Sequence, residues 1–154
     1  MPEPTIEQKI GHATFFVPGT PIPKARPRVV RGKGKFPVTY TPKTTVEWEE
    51  AIAAEFKNQC RGVFFCRKVP LKFYAELRMP GTGSLATVRG DIDNHCKALF
   101  DALNLVAFHD DAQVIDLHVV KRRARKGERT GAFIHIEPAS EVQESLFQPL
   151  EKIA

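Results

Sequence analysis

The stretch Leu71–Met79 limits the possible folds more than any other. Apolar Leu71, Phe73, Ala75 and Leu77 alternate with Lys72, Tyr74, Glu76 and Arg78. A period of two belongs to a strand with one face buried, not to a helix. Pro80-Gly81-Thr82-Gly83-Ser84 must end that strand, and a flexible loop is predicted to run on to Gly90. The pattern then turns helical through Lys97, Ala98, Leu99, Phe100, Ala102 and Leu103 to Asn104, with Asp91 or Asp93 as the cap. Ala112 to Lys121 reads as the next strand, carrying Val114, Val119 and Val120.

Elements on either side extend this unit. Ala13–Pro18 reads as a strand, and Pro21, Pro23 and Pro27 keep the following chain extended. Arg31–Phe36 is predicted as a loop or hairpin tip and Val38–Tyr40 as a short returning strand. Thr44 or Thr45 offers an N-cap, with Glu47 or Glu49 as the early acid, for a helix reaching about Asn58 through Trp48, Ala51, Ile52, Ala54 and Phe56. Phe133–Ile136 reads as a last strand, and Ser140–Ala154 as a short helix with Val142, Leu146 and Leu150 on one stripe. The order β-β-α-β-α-β-β predicts an α/β fold, a mixed β-sheet flanked by helices. Its 154 residues suit one domain, with a core over about 13–138 and a tail over 139–154.

Composition excludes several classes. Apolar residues make up 42% and charged residues 27%, as in a globular protein. No apolar run approaches the roughly 18–20 residues that cross a bilayer, so no membrane partner is expected. Met1–Gly11 reads as neither a signal nor a transit peptide, which predicts a cytoplasmic protein. Cys60, Cys66 and Cys96 have no paired spacing and are expected as reduced thiols. Nothing suggests a small-molecule organic cofactor.

The net charge is +5 and the pI about 9.2, but the distribution says more. Lys24, Arg26, Arg28, Arg31, Lys33 and Lys35 fall in twelve residues without an acid. Lys121, Arg122, Arg123, Arg125, Lys126 and Arg129 fall in nine residues with one acid, Glu128. Such segregation predicts a polyanion-binding surface. Phosphate contacts are expected from Lys24, Arg26, Arg28, Arg31, Lys33, Lys35, Lys121, Arg122, Arg123 and Arg125 rather than base readout.

Asp91-Ile92-Asp93-Asn94-His95-Cys96-Lys97 is the run that suggests chemistry. Capping explains one aspartate, not two, and neighbouring like charges repel unless a cation lies between them. Lys97 follows Asp93 by one helical turn and can reach the same space. A second pair, Asp110-Asp111, precedes the strand Ala112–Lys121. The spacing alone leaves open whether that pair meets the first. If it does, the carboxylates suit Mg²⁺ or Mn²⁺, and such ions hydrolyse phosphodiesters. Asp101 and Asp116 are read as structural or solvated, and His95 as a surface helix residue. His12, His118 and His135 show no ligand spacing, while His109 is read as structural or solvated.

Two segments carry a resemblance to a known family. Asp91-Ile-Asp-Asn-His-Cys-Lys-Ala-Leu-Phe-Asp-Ala-Leu-Asn104 and Phe108-His-Asp-Asp-Ala-Gln-Val114 resemble the D-x-D-N-x-x-K, helix, D-D-x-Q-[VI] pattern of RusA Holliday junction resolvases, found in bacteria and lambda-like prophages. Pro21-Ile-Pro-Lys-Ala-Arg-Pro-Arg28 and Tyr40-Thr-Pro-Lys43 are similar to that family's N-terminal segment. The resemblance spans roughly Phe15 to Ile136. It implies that Asp91, Asp93 and Asp111 bind Mg²⁺, with Mn²⁺ able to substitute. It implies Lys97 as the catalytic lysine, with Asp110 assisting. It further implies that the Asp111 strand start lies beside the Asp91 loop, and that a homodimer nicks a four-way junction symmetrically in recombination and repair. Two other readings share the residues: a branched-DNA-binding protein that does not cut, and a metal-dependent nuclease for other DNA structures.

Overall fold

The computed structural model describes residues 11–139, except 26, 27, 32, 33, 35, 36, 41, 42 and 89. The expected tail helix and residues Arg26, Lys33 and Lys35 lie outside the described residues.

The alternating segment forms the centre of the sheet. Strand β4 (Leu71–Met79) buries Leu71, Phe73, Ala75, Leu77 and Met79 on one face. Helix α2 (Ile92–Leu103) follows, then β5 (Val114–Arg123), parallel to β4 from Leu71↔Val114 to Met79↔Arg123. Parallel neighbours require such a crossover, and a helix supplies it. Strand β6 (Gly131–Pro138) returns antiparallel beside β4, and β1 (Ala13–Pro18) closes the other side antiparallel to β6. The order β1-β6-β4-β5 is a four-stranded mixed sheet, as expected for this α/β class, with β5 at one edge.

Helix α1 (Lys43–Gln59) packs on β1 and α2 through Trp48, Ile52 and Phe56. It starts earlier than the Thr44 or Thr45 cap predicted. Thr45 is buried inside the first turns, and no acid stands in the first turn. Phe15, Phe56, Phe65, Phe73 and Phe108 are essentially fully buried. Each such ring contributes roughly 1.5–3 kcal/mol by leaving water.

Two short strands form outside the main sheet. β2 (Arg28–Arg31) pairs with β3 (Pro37–Tyr40) from Arg28↔Tyr40 to Arg31↔Pro37. The sequence suggested the returning strand and the tip but left its partner as extended chain. β5 also starts two residues later than expected, because Asp111–Gln113 turn as a 3-10 helix first. Among the described residues, no helix is long and apolar enough to cross a membrane.

Candidate active site

Asp91 occupies the N-cap of α2 in extended conformation, yet its carboxylate makes no capping hydrogen bond. An N-cap aspartate ordinarily accepts from the orphan amides of the first turn. Asp91 therefore does not spend its carboxylate on capping. Asp93 stands in the first turn, Lys97 one turn later, and all three are exposed. Asp93 and Lys97 edge a groove of about 390 Å³ between α2 and β5, floored by Ile92, Cys96, Phe100, Leu117 and Val119. Burial, and then the neighbouring Asp93 charge, push the Cys96 thiol above its ordinary pKa.

The loop entering α2 is fixed from two sides. Gly90 has φ +106°, and a Cβ there would lie 2.6 Å from Pro23 Cγ, so only glycine fits. Lys121 Nζ donates to the Gly90 carbonyl at 3.1 Å. The Lys24 amide donates to the Asn94 carbonyl at 2.9 Å, and its ammonium pairs with Glu49 at 2.6 Å and Asp101 at 3.1 Å. The segment around Pro23 and Lys24 thus props the start of α2. Asp101 has a structural partner, as read from the sequence; Asp116 likewise pairs with Lys72 at 3.7 Å.

His95 corrects the expectation of a surface residue. It is 1% exposed, and among the described residues both ring nitrogens lack a hydrogen-bond partner. Burial, reinforced by the Lys121 charge, lowers its pKa from 6.5 to about 4, so the ring stays neutral. The asparagine and lysine around it gave no sign that the i+4 position from Asp91 turns inward beneath the loop.

Asp110 and Asp111 lie elsewhere than expected within one chain. Asp110 caps the 3-10 turn, accepting from the Ala112 amide at 3.1 Å, which holds its carboxyl below the usual range. Burial, and then the adjacent Asp110, raise Asp111 above its usual range; Asn104 opposes this and Asp101 adds to it. Those neighbours put Asp111 near the C-terminal end of α2. Asp93 precedes Asp101 by eight residues, about 12 Å along the axis at 1.5 Å per residue. Among the described residues, Asp91, Asp93 and Asp111 do not gather their ligand atoms within 4.8 Å. The implied closeness of Asp111 to the Asp91 loop therefore does not hold within one chain. The short connection after α2 returns the chain to the helix's own end.

Gln113 anchors that acidic turn. Its side-chain oxygen accepts from the His109 and Asp110 amides at 2.9 and 3.2 Å. Its amide donates to the Cys66 and Val69 carbonyls at 2.8 and 3.1 Å. His109 stacks edge-on against Phe64 at 5.1 Å, a packing role.

Lys121, Arg122 and Arg123 of the second basic run are engaged inside the protein. Arg122 pairs with Glu76 at 2.6 Å and with Glu128 at 2.5 Å. Arg123 donates to the carbonyls of Pro80, Thr82 and Gly83. Lys121 holds Gly90, leaving Arg125 and Lys126 exposed at the following turn. Arg28 and Arg31 are carried by β2. A cluster the sequence did not suggest is His12, His135 and Glu137, brought together by the antiparallel β1–β6 pairing.

Fold and site define an α/β protein with paired exposed carboxylates and a lysine on one helix end. The family model described as endodeoxyribonuclease RusA matches residues 18–137. The chain belongs to the RusA family. It is similar to the crossover junction endodeoxyribonuclease RusA of Escherichia coli strain K12 and of Shigella sonnei strain Ss046. Each is 45% identical over 62 residues, covering 40% of this chain and 48% of the relative. The protein of the same name from Enterobacteria phage 82 matches to the same extent. The chain thus spans about half the length of the curated relatives it matches.

Proposed function

We propose that this protein is a Mg²⁺-dependent endonuclease that resolves four-way DNA junctions by paired nicks, acting as a homodimer in a bacterial or phage-infected cytoplasm. The observation that carries the reading is the Asp91 carboxylate, free of capping duty, beside Asp93, which Lys97 follows by one turn. Two exposed carboxylates that form no ion pair among the described residues are a donor set that fits a hard divalent ion. Asp91 and Asp93 would hold it; once bound, it supplies an activated water and a charge partner for the scissile phosphate. Lys97 neutralises charge developing on the phosphate. Arg28, Arg31 and Arg125, with Arg26, Lys33 and Lys35, take the flanking phosphates. Lys24, Lys121, Arg122 and Arg123 act by holding the site in shape.

Asp111 joins the ligand set only if a second copy supplies it. Packing two α2 helices antiparallel about a two-fold sets the N-terminal end of one against the C-terminal end of the other. Exposed Ile92, Ile115 and Leu117, on α2 and the β5 edge, offer the apolar surface for that contact. The test is a labelled four-way junction against linear duplex, with Mg²⁺ or with chelator. Paired nicks in the junction alone, only with metal, support the reading. Junction binding without cutting replaces it with the non-cutting DNA-binding reading, and cutting of flaps or single strands with the nuclease of other structures.

A further inference from the structure

We propose that His12, His135 and Glu137 form a second metal site, selective for a borderline divalent ion of the zinc class and separate from the carboxylates of α2. The three ligand atoms lie within 4.8 Å of one another. His12 Nδ1 is 3.3 Å and His135 Nε2 is 3.2 Å from Glu137 Oε2. With metal–ligand bonds of about 2.0–2.1 Å, adjacent ligands of a tetrahedral ion stand about 3.3 Å apart. These two separations already match that edge.

The backbone builds this arrangement. Thr14 pairs with His135 and Ala13 with Ile136 in the antiparallel β1–β6 ladder, so residue 12 arrives beside residue 137. Alternation along β6 buries Ile134 and Ile136 and turns His135 and Glu137 to the outer face of the sheet. The helices α1 and α2 cover the inner face, so the sheet separates this cluster from Asp91 and Asp93.

The outer support is that of a ligand as well. Thr14 Oγ1 lies 2.7 Å from His135 Nδ1. With the proton on Nδ1 donated to the hydroxyl, Nε2 presents its lone pair towards Glu137. Metal-bound histidines are generally oriented by such a partner on the other nitrogen. The His12 and His135 rings stack at 5.8 Å and 18°, which aligns both imidazoles. Two imidazoles with one carboxylate suit zinc-class ions rather than Mg²⁺. Water completes the fourth position, since His12 is largely exposed. Lys72, cross-strand from Glu137, opposes the ion's charge, while its pairing with Asp116 offsets part of that. The site ties the start of β1 to β6.

The test uses the full chain, tag removed and stripped with chelator. Calorimetric titration with Zn²⁺ is expected to give one site per chain that excess Mg²⁺ does not displace. Co²⁺ should give visible d–d absorption without a thiolate charge-transfer band. His135→Ala and His12→Ala should each weaken Zn²⁺ binding at least about tenfold, and Thr14→Val by about tenfold. Asp91→Asn and Asp93→Asn should leave it unchanged. These positions lie outside the core, and circular dichroism checks that each variant is folded. Absence of stoichiometric Zn²⁺ binding, wild-type binding by folded His12→Ala and His135→Ala, or a thiolate band tracing the metal to a cysteine, would each overturn the proposal.

Discussion

Replacing Gln113 with leucine should weaken the whole domain, because one buried amide joins three segments. Gln113 is 8% exposed. It donates to carbonyls at Cys66 and Val69 and accepts from amides at His109 and Asp110. Leucine keeps the bulk and none of these bonds. The amides of His109 and Asp110 border solvent and can partly recover with water, as can the loop carbonyls. Counting only the bonds at 2.8 and 2.9 Å, at about 1.5 kcal/mol each for a partner left unmatched, gives a loss of about 3 kcal/mol. At about 2–4 °C per kcal/mol in a domain of this size, Tm should fall by roughly 6–12 °C. Urea unfolding and a thermal melt read the loss directly. Gln113→Glu should be at least as damaging at neutral pH, since a carboxylate would face two carbonyl oxygens. A loss under about 1 kcal/mol for Gln113→Leu would refute the reasoning and show that water replaces the amide at little cost.

Further expectations concern the site and its pH dependence. Asp93→Asn should lower junction cutting by at least about 100-fold, the scale of losing a fixed electrostatic partner, while a gel-shift titration finds junction binding retained. Leu117→Glu should shift the sedimentation of the protein from dimer to monomer, because it places a charge in the apolar edge proposed as the contact. Contact with the Arg122 guanidinium lowers Glu128 from 4.5 to about 2, so its stabilisation is present above pH 4.5 and lost as pH falls towards 2; Glu128→Gln should flatten that acid limb of a denaturation series. His95 shows the opposite charge type: its folded pKa of about 4 lies below the ordinary 6.5, so protons taken up by the unfolded chain erode stability as pH falls between those values. Urea midpoints of His95→Leu should lack that step.

The central unit was legible because burial writes a period into the chain. Leu71, Phe73, Ala75 and Leu77 alternate, and all point into the core. The paired acids at Asp91 and Asp93 were legible as a surplus over what capping needs. Other features depend on geometry that a period does not encode. Arg122 and Arg123 look like a polyanion surface in sequence, but their partners Glu76, Pro80 and Thr82 lie about forty residues away. His95 looks exposed because burial at that position is set by Gly90 and Lys121 above it. His12 and Glu137 meet only through strand register, which neither local sequence reveals. Asp111 shows the same limit: a short connection brings it back to the end of α2 that lies away from Asp93.

The proposed junction resolvase, with a site shared between two chains, is tested most directly by mixing two inactive variants. Asp93→Asn and Asp111→Asn homodimers should each fail to cut a four-way junction in Mg²⁺. In a mixed dimer, one site carries both lesions and the other none. Refolding the two together should therefore restore metal-dependent single nicks without paired resolution. No restored cutting in demonstrated mixed dimers would contradict the shared site, and cutting by either variant alone would contradict the metal assignment itself.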